Sequence, residues 1–155
     1  MLHPVVEQIT QQIEKRSCLR RAAYLQRIDR ALEQGRNSAH GCSNLAHVMA
    51  AQPTDQRLIM RQGAAAHVAI ISSYNDMLSA HAPLKNYPDQ LKQALYRYGA
   101  SAQFAAGVPA MCDGVTQGTP GMQLSLFSRD LNAQATAIGL THGVNDGGIL
   151  LGVCD

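Results

Sequence analysis

The chain has 155 residues, of which 46% are hydrophobic and only 15% charged, and its formal net charge is +2. That length and apolar content suit one globular domain with a buried core and exclude a disordered tail. No apolar run approaches the ~18 residues that a membrane span requires. The positive charge gathers near the start, at Lys15, Arg16, Arg20, Arg21, Arg27, Arg30 and Arg36. No nucleic-acid-binding motif accompanies it, so it reads as a solvated helix face.

The opening MLHPVVEQITQQIEK has no basic segment followed by an apolar run and a small-residue cleavage site, which predicts a cytoplasmic protein. The four cysteines, at positions 18, 42, 112 and 154, are widely and unevenly spaced. In a reducing compartment such thiols are buried, catalytic or metal-bound rather than paired in disulfides.

In chain order, Val6, Ile9, Ile13, Leu25, Ile28 and Leu32 recur at helical spacing and predict a helix from Val5 to Leu32, with a stop at Gly35 and Asn37. Cys42 to Ala51 and Asp55 to Gln62 read as shorter helices. Cys42 and His47 are five residues apart and so do not share a helix face, which favours packing or capping roles over a metal site. HVAIIS, His67 to Ser72, is a β-branched run suited to a buried strand. It runs into Ser73, Tyr74, Asn75 and Asp76, where open α/β sheets place ligands. Pro88 to Tyr98 predicts a helix with Leu91 and Leu95 inward, and Ala102 to Met111 a second strand. Gly121 to Leu140 predicts a long helix with Leu124, Phe127, Leu131 and Ile138 inward, and Ile149 to Val153 a third strand.

Strands alternating with helices predict an α/β fold, a three-layer α/β/α arrangement with a mostly parallel sheet. Residues 1–62 would form an amino-terminal helical segment and residues 63–155 the first part of the α/β domain. A terminus placed just after a strand and a polar pair predicts an incomplete domain, the amino-terminal portion of a longer protein.

Two Cys-Asp pairs, Cys112 with Asp113 and Cys154 with Asp155, fall with Asp76 at the carboxyl ends of these strands. Thiolates are soft ligands that suit iron-sulfur clusters and zinc, and carboxylates are hard ligands that suit magnesium or manganese. Adjacent residues of both kinds suggest two metal centres close together. From spacing alone the plainer reading is favoured for either pair, each cysteine a small buried hydrophobe and each aspartate a turn or helix cap. No C-x-x-C spacing supports a zinc ribbon or a thioredoxin-type site.

The segments SSYNDMLSAH (Ser72 to His81), VPAMCDGVTQGTPGMQLSLFSRD (Val108 to Asp130) and LLGVCD (Leu150 to Asp155) resemble the dihydroxy-acid and 6-phosphogluconate dehydratase family, whose members are much longer. RSCLRRAAYL, Arg16 to Leu25, is similar to the 6-phosphogluconate branch. The resemblance implies an iron-sulfur cluster, 4Fe-4S in preference to 2Fe-2S, often with Mg2+ or Mn2+ nearby. It places Cys154 on a cluster-ligating cysteine, and Asp113 and Asp155 on the two aspartates that hold the divalent ion. Where the dihydroxy-acid branch has a cluster cysteine, seven residues after the first serine of Ser73-Tyr74-Asn75, this chain has Ala80. Cys112 stands where that branch has serine, so it is expected as the replacement cluster ligand. A further cysteine ligand and the serine thought to act as base would lie beyond residue 155, and no catalytic residue is assigned within the chain.

The implied reaction is dehydration of 6-phosphogluconate to 2-keto-3-deoxy-6-phosphogluconate, the Entner-Doudoroff step, by a homodimer with no nucleic-acid or membrane partner. A dehydratase of another sugar acid or dihydroxy acid, and an inactive α/β fragment, are the alternatives. Arg129 and Lys85 are candidates to meet the phosphate, with surface salt bridging the plainer role for each.

Overall fold

The computed structural model describes residues 3–39, 42–61 and 65–153. The chain divides into two compact units, Met1–Ala39 and His40–Asp155. The first is a single helix, α1, Pro4–Ala39. It runs past the stop expected at Gly35 and Asn37. Glycine inside a helix costs only ~1 kcal/mol relative to alanine, too little to end a helix whose neighbouring residues favour it. Val6, Ile9, Ile13, Leu25 and Ile28 form its apolar face and are 40–50% exposed, since the unit contains nothing to cover them.

The second unit is built on three parallel strands, β1 (His67–Ser72), β2 (Ser101–Ala106) and β3 (Gly147–Leu151), in the order β2-β1-β3. α2 (Cys42–Ala50) and α3 (Thr54–Arg61) precede them, α4 (Tyr87–Arg97) joins β1 to β2, and α5 (Asp113–Thr116) and α6 (Ser125–Thr141) join β2 to β3. The β1-to-β2 and β2-to-β3 connections travel in opposite directions across the sheet. Parallel crossovers are right-handed, so α4 and α6 fall on opposite faces. The fold is therefore α/β, a parallel sheet flanked by helices, as expected. β1 is central and carries the core, with Ala69 and Ile70 wholly buried, because a strand covered on both faces must be apolar on both.

The amino-terminal ends of the strands are pinned by a polar network around His67, itself wholly buried. Gln103 Nε2 donates to the Val48 carbonyl at 3.1 Å, which turns its Oε1 toward His67 Nε2, also at 3.1 Å. An amide oxygen only accepts, so Nε2 carries the proton and Nδ1 accepts from the Ser101 hydroxyl at 2.7 Å. The Asp146 side chain accepts from His67 N–H at 2.7 Å, and Asp146 N–H returns a bond to the His67 carbonyl at 2.8 Å. These bonds fix α2 and the entry to β3 against the sheet.

Two expected elements differ. β2 ends at Ala106 rather than Met111, because the ladder cannot continue through Gly107 and Pro109, the latter lacking an N–H. The helix expected from Gly121 to Leu140 begins as a 3-10 turn, Pro120–Leu124, and becomes α6 at Ser125. The face it buries is not the expected one. Leu124, Phe127, Leu131 and Ile138 are 49–65% exposed, whereas Ser125, Ser128 and Gly139 are buried. The helix meets the sheet through small residues: a Cβ on Gly139 would lie 2.9 Å from Ala106 Cβ and 3.3 Å from the Ala105 carbonyl oxygen. A large side chain there would hold the helix away from β2.

Candidate active site

The order β2-β1-β3, with helices on opposite faces, puts the reversal of winding between β1 and β3. Open α/β sheets form their ligand crevice outside the carboxyl ends of the strands at such a point. A hollow of about 600 Å3 lies there, lined by Ser73 after β1, by Leu151, Gly152 and Val153 at the end of β3, by Ala110 after β2, and by Arg129 of α6.

Hydrogen bonds from one short motif hold the three strand ends together. Ser73 N–H and its hydroxyl both donate to the Leu151 carbonyl, at 3.0 and 3.2 Å. The Ser73 carbonyl accepts from Ala110 N–H at 3.5 Å, and Asn75 Nδ2 donates to the Ala110 carbonyl at 3.0 Å. Asn75 Oδ1 in turn accepts from Met77 N–H at 2.7 Å, closing the turn. Gly107 permits this approach, because a Cβ there would land on the Ser72 carbonyl oxygen. From α6, Asn132 Oδ1 accepts from Val108 N–H at 3.0 Å and anchors the same loop.

Cys112 and Asp113 follow at the start of α5. Cys112 is a free, half-buried thiol whose carbonyl accepts from Val115 and Thr116 N–H. Asp113 is half-buried, and its Oδ1 is shielded from solvent without a hydrogen-bond partner among the described residues. A shielded carboxylate oxygen with no donor is costly unless something else neutralises it. That is the disposition of a cation ligand, and a soft thiol beside it suits an iron-sulfur cluster. The residues present therefore fit the groups that the sequence implied.

Cys154 and Asp155 lie outside the described residues, but Val153, immediately before them, lines the hollow with Ser73 and Ala110. Among the described residues no three ligand-type side chains converge on one point. Asp76 sits past the end of β1, exposed, and accepts a hydrogen bond from the Tyr74 hydroxyl. That bond is the main reason the Tyr74 phenol titrates above the usual tyrosine range, with desolvation and the Asp76 charge adding to it and Lys85 opposing. Lys85 thus belongs to the Tyr74–Asp76 cluster, while Arg129 borders the hollow. The side chain of Cys42 lies outside the described residues.

The sequence reading assigned no bonding role to Ser73, Asn75 or Asn132. The available signal was a run of turn-forming polar residues directly after a buried strand, and a lone asparagine on the small-residue face of α6.

The family profile described as Dihydroxy-acid/6-phosphogluconate dehydratase N-terminal matches residues 65–155. The chain belongs to this family. A phosphogluconate dehydratase of Helicobacter pylori is 51% identical over 97% of this chain and 25% of its own length. One of Pseudomonas aeruginosa is 49% identical over 99% of this chain and 26% of its own length. A dihydroxy-acid dehydratase of Tremblaya princeps is 33% identical over 57% of the chain and 16% of its own length. The chain spans about a quarter of the length of the phosphogluconate dehydratases it matches. No helix among the described residues is long and apolar enough to cross a membrane.

Proposed function

We propose that this chain forms the amino-terminal part of a cytoplasmic, homodimeric 6-phosphogluconate dehydratase, which removes water from 6-phospho-D-gluconate to give 2-keto-3-deoxy-6-phosphogluconate. The observation that carries this reading is identity of 46–51% to phosphogluconate dehydratases over 95–99% of the chain. Against the dihydroxy-acid relative both the identity and the share of chain matched are lower.

In this reading Cys112 and Cys154 hold the iron-sulfur cluster, 4Fe-4S in preference to 2Fe-2S, and Asp113 and Asp155 hold Mg2+ or Mn2+. When bound, these groups supply a Lewis acid for the hydroxyl that leaves carbon 3 and positive charge for the substrate carboxylate as carbon 2 loses its proton. The chain's own part is positional. The Ser73 and Asn75 bonds set the spacing of the loops that carry the two Cys-Asp pairs, and a displacement of ~1 Å in such loops can cost ~100-fold in rate. The unpartnered Asp113 Oδ1 supports its assignment to the cation. Arg129, which borders the hollow, and Lys85, by Tyr74, are candidates to meet the phosphate, with surface salt bridging the plainer role for each.

Anaerobic reconstitution of the full-length enzyme with iron and sulfide tests this reading, with iron content, visible absorption and turnover as readouts. Cys154→Ser and Cys112→Ser should each lower cluster content and abolish most turnover. Retention of both cluster and activity in Cys112→Ser would remove that residue from the ligand set. A preference for an unphosphorylated aldonic acid would move the assignment to another sugar-acid dehydratase.

A further inference from the structure

The loop from Gly107 to Cys112 joins β2 to α5 and delivers the Cys112 thiol to the site. Side chains from two other elements hold it. Asn75, beyond β1, donates from Nδ2 to the Ala110 carbonyl at 3.0 Å, while the neighbouring bond from Ala110 N–H to the Ser73 carbonyl is long, at 3.5 Å. Asn132, within α6, accepts from Val108 N–H at 3.0 Å. A loop tied at one point can pivot about it, whereas one tied at two points has a fixed direction. Pro109, between the two ties, narrows the remaining freedom because its ring fixes φ.

Asn132 serves the loop rather than its own helix. Asparagine is a poorer helix former than alanine, because its amide competes for backbone partners. Ser125, Asn132 and Gly139 recur two turns apart on the face of α6 that meets the sheet, and Asn132 is half-buried there. Val108 N–H can only donate, so the atom facing it is Oδ1, and Nδ2 donates to the Ser128 carbonyl at 3.0 Å, one turn earlier. Both ends of the amide are therefore committed to the protein. Although Asn132 borders the hollow, it acts on the site through the loop.

We propose that Asn132 is a positioning residue: by holding Val108 it fixes the course of the loop and so the place of the Cys112 thiol. Its effect on a cluster rests on the reading of Cys112 as a cluster ligand, but its hold on the thiol does not.

The full-length enzyme, apo and reconstituted, tests this with Asn132→Ala, which removes the tie, and Asn132→Asp, which keeps the acceptor for Val108. In the apo enzyme, alkylation by iodoacetamide is followed at each cysteine by mass spectrometry. Cys112 should react about fivefold faster in Asn132→Ala, the factor that one net hydrogen bond represents. Cys18, exposed on α1, should keep the parent's rate, as should the circular dichroism spectrum. After reconstitution, Asn132→Ala should hold less iron, show altered visible absorption, and lose about 10- to 100-fold in kcat with little change in KM. Asn132→Asp should restore all of these toward the parent. Asn132→Ser, whose shorter side chain falls away from Val108, should match Asn132→Ala and supplies the readout if the latter does not fold. Cys112 alkylation at the parent's rate in the truncated variants, or an aspartate variant as impaired as the alanine one, would overturn the proposal. Full iron content in Cys112→Ser, together with faster Cys112 alkylation in Asn132→Ala, would remove Cys112 from the cluster and leave Asn132 as the anchor of the loop.

Discussion

At Tyr74 the fold favours the neutral phenol, because its hydroxyl donates to Asp76 and ionisation would set two negative charges side by side. Its folded value lies above the unfolded one. The stability it contributes is therefore present below the ordinary tyrosine range and is lost as pH rises through the folded value. When tyrosinate absorbance is followed with pH, Tyr74 should ionise at lower pH in Asp76→Asn than in the parent. A single unresolved transition in the parent, unchanged in the variant, would disprove the coupling. Gly107 is constrained by space rather than charge. In Gly107→Ala the new methyl would collide with the Ser72 carbonyl, and neither partner is a flexible side-chain end. A loss of about 1–3 kcal/mol in urea unfolding is expected, the range for forced overpacking.

α6 is the element where sequence and structure part most informatively. A Cβ on Gly139 would press on Ala106 and the Ala105 carbonyl, so Gly139→Ala should destabilise by about 1–3 kcal/mol despite the better helix propensity of alanine. Leu131→Gln, on the 49% exposed side, should stay within about 0.5 kcal/mol of the parent in the same unfolding assay. The opposite ranking would mean that the apolar side faces the sheet. The apolar period of α6 is real, yet periodicity identifies a stripe without saying which surface lies against the sheet. Here the close approach needed at β2 favours serine and glycine, which carry no hydrophobic signal. β1 was legible because it lies between neighbours on both sides, so Val68 to Ile71 are apolar without a break and the strand's bounds coincide with the pattern. In the site, the placement of Cys112 and Asp113 after β2 was legible from the glycine-rich turn. The ties made by Ser73, Asn75 and Asn132 were not, because loop hydrogen bonds depend on which strand ends become neighbours, and that is a property of topology.

At the scale of the whole molecule, the strand order puts β1 at the centre and leaves β2 and β3 as edges. β3 is the more exposed edge: Leu150 is 68% accessible, and the strand carries no charged residue to discourage pairing. In the same unit, Leu124, Phe127, Leu131 and Ile138 lie at helical spacing on the uncovered side of α6 and its preceding turn. Monomeric proteins rarely leave both an uncharged strand edge and a continuous apolar helix face in water. The isolated 155-residue chain is therefore expected to self-associate, its weight-average mass in sedimentation rising with concentration. Phe127→Lys combined with Leu150→Lys places a charge on each surface at positions 61% and 68% exposed. The double variant should remain monomeric over the same concentrations with an unchanged circular dichroism spectrum. A parent chain that sediments as a monomer throughout would show that these two surfaces do not drive association. Association persisting in the double variant would direct attention to the apolar face of α1, where Val6, Ile9 and Ile13 are equally uncovered.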